Sequence, residues 1–207
     1  PDVLGRGGFR DHAELAEHPC GVVGEDSHFS LLSERPFHTN VGPAHERWAL
    51  VRSVSKFLGP DMCLAVTASD ADTAARLALR LSPGTTWVSH LLQRLAHALL
   101  TDDAVREDIR RAGKHYAERN AAVAKLLQDA GVPAHAADGL NLWVPLGVPA
   151  RDVGEYLMRR GWLARSGEEF VLAGEYAAQH LRLTVHDLTD VEATRLASDL
   201  SAAIEAA

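Results

Sequence analysis

Short apolar runs alternate with amphipathic stretches along the chain, and the two periods predict its elements in turn. Residues 20–26, Cys-Gly-Val-Val-Gly-Glu-Asp, read as a short buried strand that closes on two acids. Residues 48–53, Trp-Ala-Leu-Val-Arg-Ser, and 63–69, Cys-Leu-Ala-Val-Thr-Ala-Ser, read as two further strands. Between the first two, residues 31–45 are broken by Pro36 and Pro43. Asp70 stands where a helix N-cap belongs, predicting a helix to about residue 81, before Ser-Pro-Gly at 82–84. A second helix is predicted over 86–100, with Val88, Leu91, Leu92, Leu95 and Leu99 on one face.

The pattern then changes. Residues 102–130 read as one long, charged helix, ended by Gly131-Val-Pro. Beyond it come a strand at 140–146, a helix at 149–160, and short strands at 162–165, 170–173 and 181–185. An amphipathic helix over 190–203 closes the chain. At the other end, residues 1–8 read as a loop and 9–18 as a short helix before Pro19. Strands interleaved with helices predict α/β or α+β architecture in two lobes: residues 1–100, a connecting helix at 101–130, and an α+β lobe at 131–207.

Composition narrows the class. The chain has 207 residues, 46% apolar and 24% charged, enough for one sizeable domain or two small ones. No apolar run approaches the roughly 20 residues of a membrane span, and residues 1–10 lack a basic-then-apolar leader. Cys20 and Cys63 are too few for a disulfide scaffold, which points to a reducing, cytoplasmic setting. A net charge of −7 leaves no basic footprint for nucleic acid. The expected ligand is a small molecule, and DNA contact would have to come from another segment.

Two stretches carry candidate chemistry. Ser53-Val-Ser-Lys-Phe-Leu-Gly-Pro60 sets a lysine just past a buried strand and before a Gly-Pro turn. Partial desolvation there would lower the amine's pKa and free it for Schiff-base chemistry. The hydroxyls of Ser53 and Ser55 stand beside it as phosphate donors. Glu25-Asp26-Ser27-His28 also follows a strand, where ligands gather in open α/β sheets. Taken singly, the first reads more readily as a surface lysine in a polar loop, and the second at least as readily as a capping or turn acid.

Together they resemble the aminotransferase class I/II family, the fold type I pyridoxal-phosphate proteins, in which an Asp after one strand precedes the Schiff-base Lys after another. Asp26 and Lys56 keep that order and spacing. Glu25-Asp26-Ser27-His28-Phe29 followed by Ser53-Val-Ser-Lys56 looks most like the aminotransferase-like domain of MocR/GntR-type transcription regulators. Most of that group has Glu-Asp-Asp-Tyr; a branch associated with vitamin B6 genes has His as the last residue. Tyr116-x-x-Arg119, Gly139-Leu-Asn-Leu-Trp143, Gly167-x-x-Phe170 and Leu181-Arg182-Leu also have counterparts there, so the resemblance runs along nearly the whole chain. It implies a partial fold type I transferase: the C-terminal part of the large-domain sheet plus the small α+β domain.

Roles follow by position. The resemblance implies that Lys56 holds pyridoxal 5'-phosphate as a Schiff base and that Asp26 pairs with its pyridine nitrogen, keeping the ring an electron sink. His28 would sit by the phenolic oxygen, Ser53 and Ser55 by the phosphate, and Arg182 would clamp a substrate carboxylate. Two departures stand against these roles. Cys63 occupies the position of an arginine that grips the phosphate, a loss of roughly 1.5–3 kcal/mol, or about one to two decades in affinity. The resemblance also implies that the chain begins inside the domain, N-terminally truncated. The phosphate turn, the ring-stacking aromatic and any helix-turn-helix would then lie upstream, and apolar surface would be left uncovered.

Other chemistry is weaker. The eleven histidines include no His-Glu-x-x-His, and there is no Cys-x-x-Cys, so no metal is expected. Adjacent Asp26-Ser27-His28 cannot take hydrolase-triad geometry. Gly5-Arg-Gly-Gly8 lacks the preceding strand of a nucleotide turn. Three functions remain: a cofactor-binding effector domain of a regulator, homodimeric and responsive to an amino acid or B6 vitamer; an aminotransferase for amino acid/2-oxo acid pairs; or a folded, inactive remnant.

Overall fold

The computed structural model describes residues 23–27, 29, 31–35, 38, 39, 41, 45–81, 87–136, 139–170 and 178–207, with Asp26 and Ser27 described by backbone alone. The chain divides into two compact units, Pro1–Ala112 and Gly113–Ala207. The expected helix at 9–18 lies outside the described residues.

In the first unit a three-stranded sheet has the order β1 (Val23–Ser27), β2 (Trp48–Ser53), β3 (Ala65–Ser69). β1 runs parallel to β2, with Asp26 opposite Val51 and Ser27 opposite Arg52. β3 returns antiparallel and pairs Ala65 with Ser53. Between β2 and β3 the chain makes a four-residue helix, α1 (Ser55–Leu58), and a 3₁₀ turn, Pro60–Met62. Gly59 joins them at φ 111°, a backbone that favours glycine.

Helix α2 (Ala71–Leu81) starts where Asp70 predicts. The Asp70 carboxylate accepts Thr73 N–H at 2.9 Å and Trp48 N–H at 2.8 Å, so it caps α2 and ties it to the start of β2. Thr73 first, and then the Trp48 N–H, hold the Asp70 pKa at about 2, below its ordinary 3.8.

Helix α3 (His90–Thr101) begins later than expected, capped by the Ser89 side chain. Its buried line also differs. Leu92, Ala96 and Leu100 meet Val54, Met62, Phe57, Leu58 and Leu64, whereas Val88, Leu91 and Leu95 are exposed. The predicted apolar stripe is wider than its partner, and the Val54–Met62 connector takes only the i, i+4, i+8 line. Val66, Leu79 and Trp87 are exposed in this unit as well.

The unit boundary falls inside α4 (Asp103–Asp129), which matches the long charged helix of the sequence pattern. Surface i,i+3 and i,i+4 pairs such as Glu107–Arg110, Asp108–Arg111 and Lys125–Asp129 line it. The second unit packs α4's last turns, α5 (Ala150–Arg159) and α6 (Asp190–Ala206) around a three-stranded antiparallel sheet. Its order is β4 (Leu142–Pro145), β6 (His180–Leu183), β5 (Arg165–Ser166). Val123, Leu127, Leu142, Val144, Leu157, Leu181 and Leu200 are fully buried in one cluster.

The strand expected at 162–165 becomes the two-residue β5. Only Arg165 and Ser166 pair with β6, because the chain turns at once into a 3₁₀ segment, Gly167–Phe170. Ser166 Oγ accepts the Glu168 N–H there at 3.3 Å, a local bond that competes with strand pairing. Of the strand expected at 170–173, residues 171–173 lie outside the described residues, and Phe170 belongs to the 3₁₀ segment. Helix α6 opens with a capping box, Thr189 and Glu192 each accepting the other's backbone N–H.

Candidate functional site

A parallel pair of strands brings the two chemical stretches of the first unit to one edge of its sheet. β1 and β2 end at the same side, so the backbone of Asp26, opposite Val51, lies two registers before Ser53. Ligands of open α/β sheets gather beyond such carboxyl ends. The neighbouring acid, Glu25, is already engaged: its Oε2 accepts the Thr39 hydroxyl at 2.7 Å. His28 lies outside the described residues.

Past β2 the chain is anchored by packing. Val54 is 3% exposed and its N–H donates to Leu64 O at 3.0 Å, while Phe57 and Leu58 reach the Met62–Ala96 cluster. Ser53 and Ser55 are half-buried, with hydroxyl oxygens 3.3 Å apart, and Ser53 Oγ accepts the Ser55 N–H at 3.4 Å. The two hydroxyls are therefore held together at the strand end. Lys56 lies between Ser55 and Phe57 on this anchored turn. It is exposed, whereas its place in the sequence predicts partial desolvation. The apolar residues of the turn face α3, and nothing among the described residues covers the lysine.

The chain has three lysines. Lys114 and Lys125 are paired with acids one helical turn on, Glu118 at 3.7 Å and Asp129 at 3.1 Å. No ion pair to Lys56 occurs among the described residues. Cys63 is also exposed, its thiol 3.5 Å from Pro60 O.

Arg182 belongs to the second unit, on its central strand, with Trp143 opposite on β4 and Arg165 opposite on β5. It is half-buried, and its guanidinium carbon lies 4.3 Å from the centre of the Phe170 ring. Burial pushes its pKa below the ordinary value, Arg165 pushes the same way, and Glu169 opposes them. Trp143 completes an aromatic wall, edge-on to Phe170 at 6.3 Å and stacked on His180 at 5.3 Å. Alternation puts this wall on the face away from Leu142, Val144, Leu181 and Leu183, which fill the core. Arg165 and Glu169 are the polar residues of this face that sequence reasoning missed; their i,i+4 spacing and opposite charge were the available signal.

The remaining motif residues hold the second unit together. Arg119 donates to Asp190 Oδ1 at 2.8 Å and to Leu188 O, and Tyr116 packs edge-on against His186 at 4.8 Å. Asn120 Nδ2 donates to Gly139 O at 2.8 Å, tying α4 to the loop before β4. Among the described residues no cluster of three metal-ligating side chains occurs, and no helix is long and apolar enough to cross a membrane.

The fold is that of the fold type I pyridoxal-phosphate-dependent aminotransferases, in part. The aromatic aminotransferase of Pyrococcus horikoshii OT3 superposes with a TM-score of 0.79 at 15% identity, over 95% of this chain and 55% of that one. The α-aminoadipate aminotransferase LysN of Thermus thermophilus gives 0.75 at 20%, over 94% and 54%. In sequence the chain is similar to the vitamin B6 salvage pathway transcriptional repressor PtsJ of Salmonella typhimurium, 42% identical over 191 residues. The match takes in 92% of this chain and 44% of PtsJ, so the chain spans less than half the length of this curated relative. No family model matches it.

Proposed function

We propose that this chain is the aminotransferase-like effector part of a MocR/GntR-type transcription regulator responsive to vitamin B6. In this reading it binds pyridoxal 5'-phosphate covalently through Lys56. The observation that carries it is the β1–β2 pair, two parallel strands ending on the same side, one carrying the Asp and the other followed by the hydroxyl-flanked Lys, in a chain 42% identical to a repressor of vitamin B6 salvage.

The residues present fit the cofactor's chemistry in part. Lys56 offers an accessible amine, on a turn that packing with α3 holds in place. Ser53 and Ser55 offer paired hydroxyl donors for a phosphate. Asp26 is the carboxylate for the pyridine nitrogen, and His28 the neighbour of the phenolic oxygen. Arg182 takes a ligand carboxylate, a task suited to its planar fork. Cys63 supplies no charge to the phosphate, which favours weak binding by this chain. When bound, pyridoxal phosphate supplies an electron-withdrawing pyridinium ring; the chain's own part is to hold it and its ligand.

Residues 1–100 then form part of the cofactor-binding domain, 101–130 the connecting helix, and 131–207 the small domain. The protein is cytoplasmic and homodimeric, its small-molecule ligand an amino acid or B6 vitamer, and DNA is contacted by a segment outside this one. A borohydride trap tests the central point: incubate with excess pyridoxal phosphate, reduce, digest, and locate the modified peptide by mass. Labelling concentrated on Lys56 and lost in Lys56→Ala is the expected result. Equal labelling of Lys56, Lys114 and Lys125 would mean ordinary surface amines and sink the assignment. Micromolar or tighter binding would instead overturn the expectation of a weak site.

A further inference from the structure

The outer face of the second unit's sheet holds two arginines where strand pairing alone favours at most one. Arg165 and Arg182 are direct cross-strand partners, and like charges so opposed are destabilising. One acid stands beside the two, and it is bonded to Arg165. Glu169 Oε2 accepts Arg165 Nε at 3.0 Å and Nη2 as well. No carboxylate pairs with Arg182 among the described residues, and its Nε is buried without an acceptor. Both guanidinium carbons lie over the same Phe170 ring, at 5.4 and 4.3 Å from its centre. The Arg165–Glu169 pair is half-exposed, a setting in which ion pairs contribute little to stability. Stability therefore does not account for an arginine at 165; an excess of positive charge against an aromatic wall suits an anion that arrives from outside.

We propose that Arg165 is a second ligand-binding cation beside Arg182, so that the site selects a ligand with two anionic groups, one for each guanidinium. The inference rests on the reading of Arg182 as a carboxylate clamp and extends it. Glu169 is the resident counter-ion of Arg165: it orients the guanidinium and competes with the incoming anion. A guanidinium fork accepts carboxylate and phosphate alike, so the second group is either of these.

Calorimetric titration of the 207-residue chain without pyridoxal phosphate tests this, with glutarate, 3-phosphonopropionate and butyrate as probes. At least one doubly anionic acid binds about tenfold tighter than butyrate, and which one identifies the second group. Arg165→Gln abolishes that preference, bringing the doubly anionic acids down to the level of butyrate, whereas Glu169→Gln strengthens it by removing the competing charge. Arg182→Gln weakens all three acids. Equal binding of all three by the wild-type chain, still lost in Arg182→Gln, overturns the second cation and keeps the clamp. A uniform loss in Arg165→Gln assigns it a structural role and overturns the proposal. Absence of binding, or binding indifferent to Arg182→Gln, overturns clamp and extension together. Labelling of Lys56 is read separately and fails independently of these outcomes.

Discussion

Among the described residues the two units reach very different states of closure. The second has a continuous core in which leucines and valines from α4, α5, α6 and all of its longer strands are fully buried. The first has a small cluster of Val54, Met62 and Ala96, while Val66, Leu79, Trp87 and Leu91 are 60–76% exposed. Both contain a three-stranded sheet and amphipathic helices, so element content does not explain the contrast. What differs is whether each apolar face meets another. A helix with an apolar stripe on an otherwise polar surface becomes stable chiefly by burying that stripe. In the first unit the described residues bury only the part of the α3 stripe that reaches the Lys56 turn. The candidate cofactor residues thus lie on the less closed unit, and the arginine pair on the closed one.

The sharpest way to break this comparison is to remove equivalent side chains from both units. Leu127→Ala, in the closed core, is expected to destabilise the second unit by about 2–5 kcal/mol, through lost burial plus a cavity. Leu91→Ala, at a 75% exposed site, is expected to change stability by no more than about 0.5 kcal/mol. Native-state hydrogen exchange read over each unit checks both, and a large loss from Leu91→Ala would show that its face is covered after all. Next in size is Thr189→Ala, which removes the side-chain acceptor of the α6 capping box. It should cost about 1 kcal/mol, seen as faster exchange in the first turn of α6.

A further effect is a pH dependence in the first unit. Asp70 titrates at about 2 in the folded chain and near 3.8 otherwise, so its charged form is favoured by folding. Its stabilisation is complete above roughly pH 4 and is lost as pH falls through about 2. The amides of Thr73 and Ala74 should therefore lose protection over that interval, once intrinsic exchange rates are divided out. Asp70→Ala should remove the part of that loss specific to α2; an unchanged acid profile would show that the cap carries no linkage.

Much of this was legible along the chain. Residues 48–53, the Asp70 cap and the long helix followed from apolar period, N-cap chemistry and a Gly-Val-Pro stop, all of which act within a few residues. Asp26, Ser53, Ser55 and Lys56 were recognisable because their residue types and spacing resemble a known pattern. Arg182 was recognisable in the same way. Tertiary structure decided what depends on distant partners. It set β1 parallel to β2, which brings Asp26 and Ser53–Lys56 to one sheet edge, and it left Lys56 and Cys63 exposed. It chose the Leu92–Ala96–Leu100 line of α3 over the stripe that period alone predicted. It also put Arg165 opposite Arg182, a pairing separated by 17 positions and fixed by strand register. Local signals are written in neighbouring residues, whereas register and burial belong to surfaces that exist only once the chain has folded.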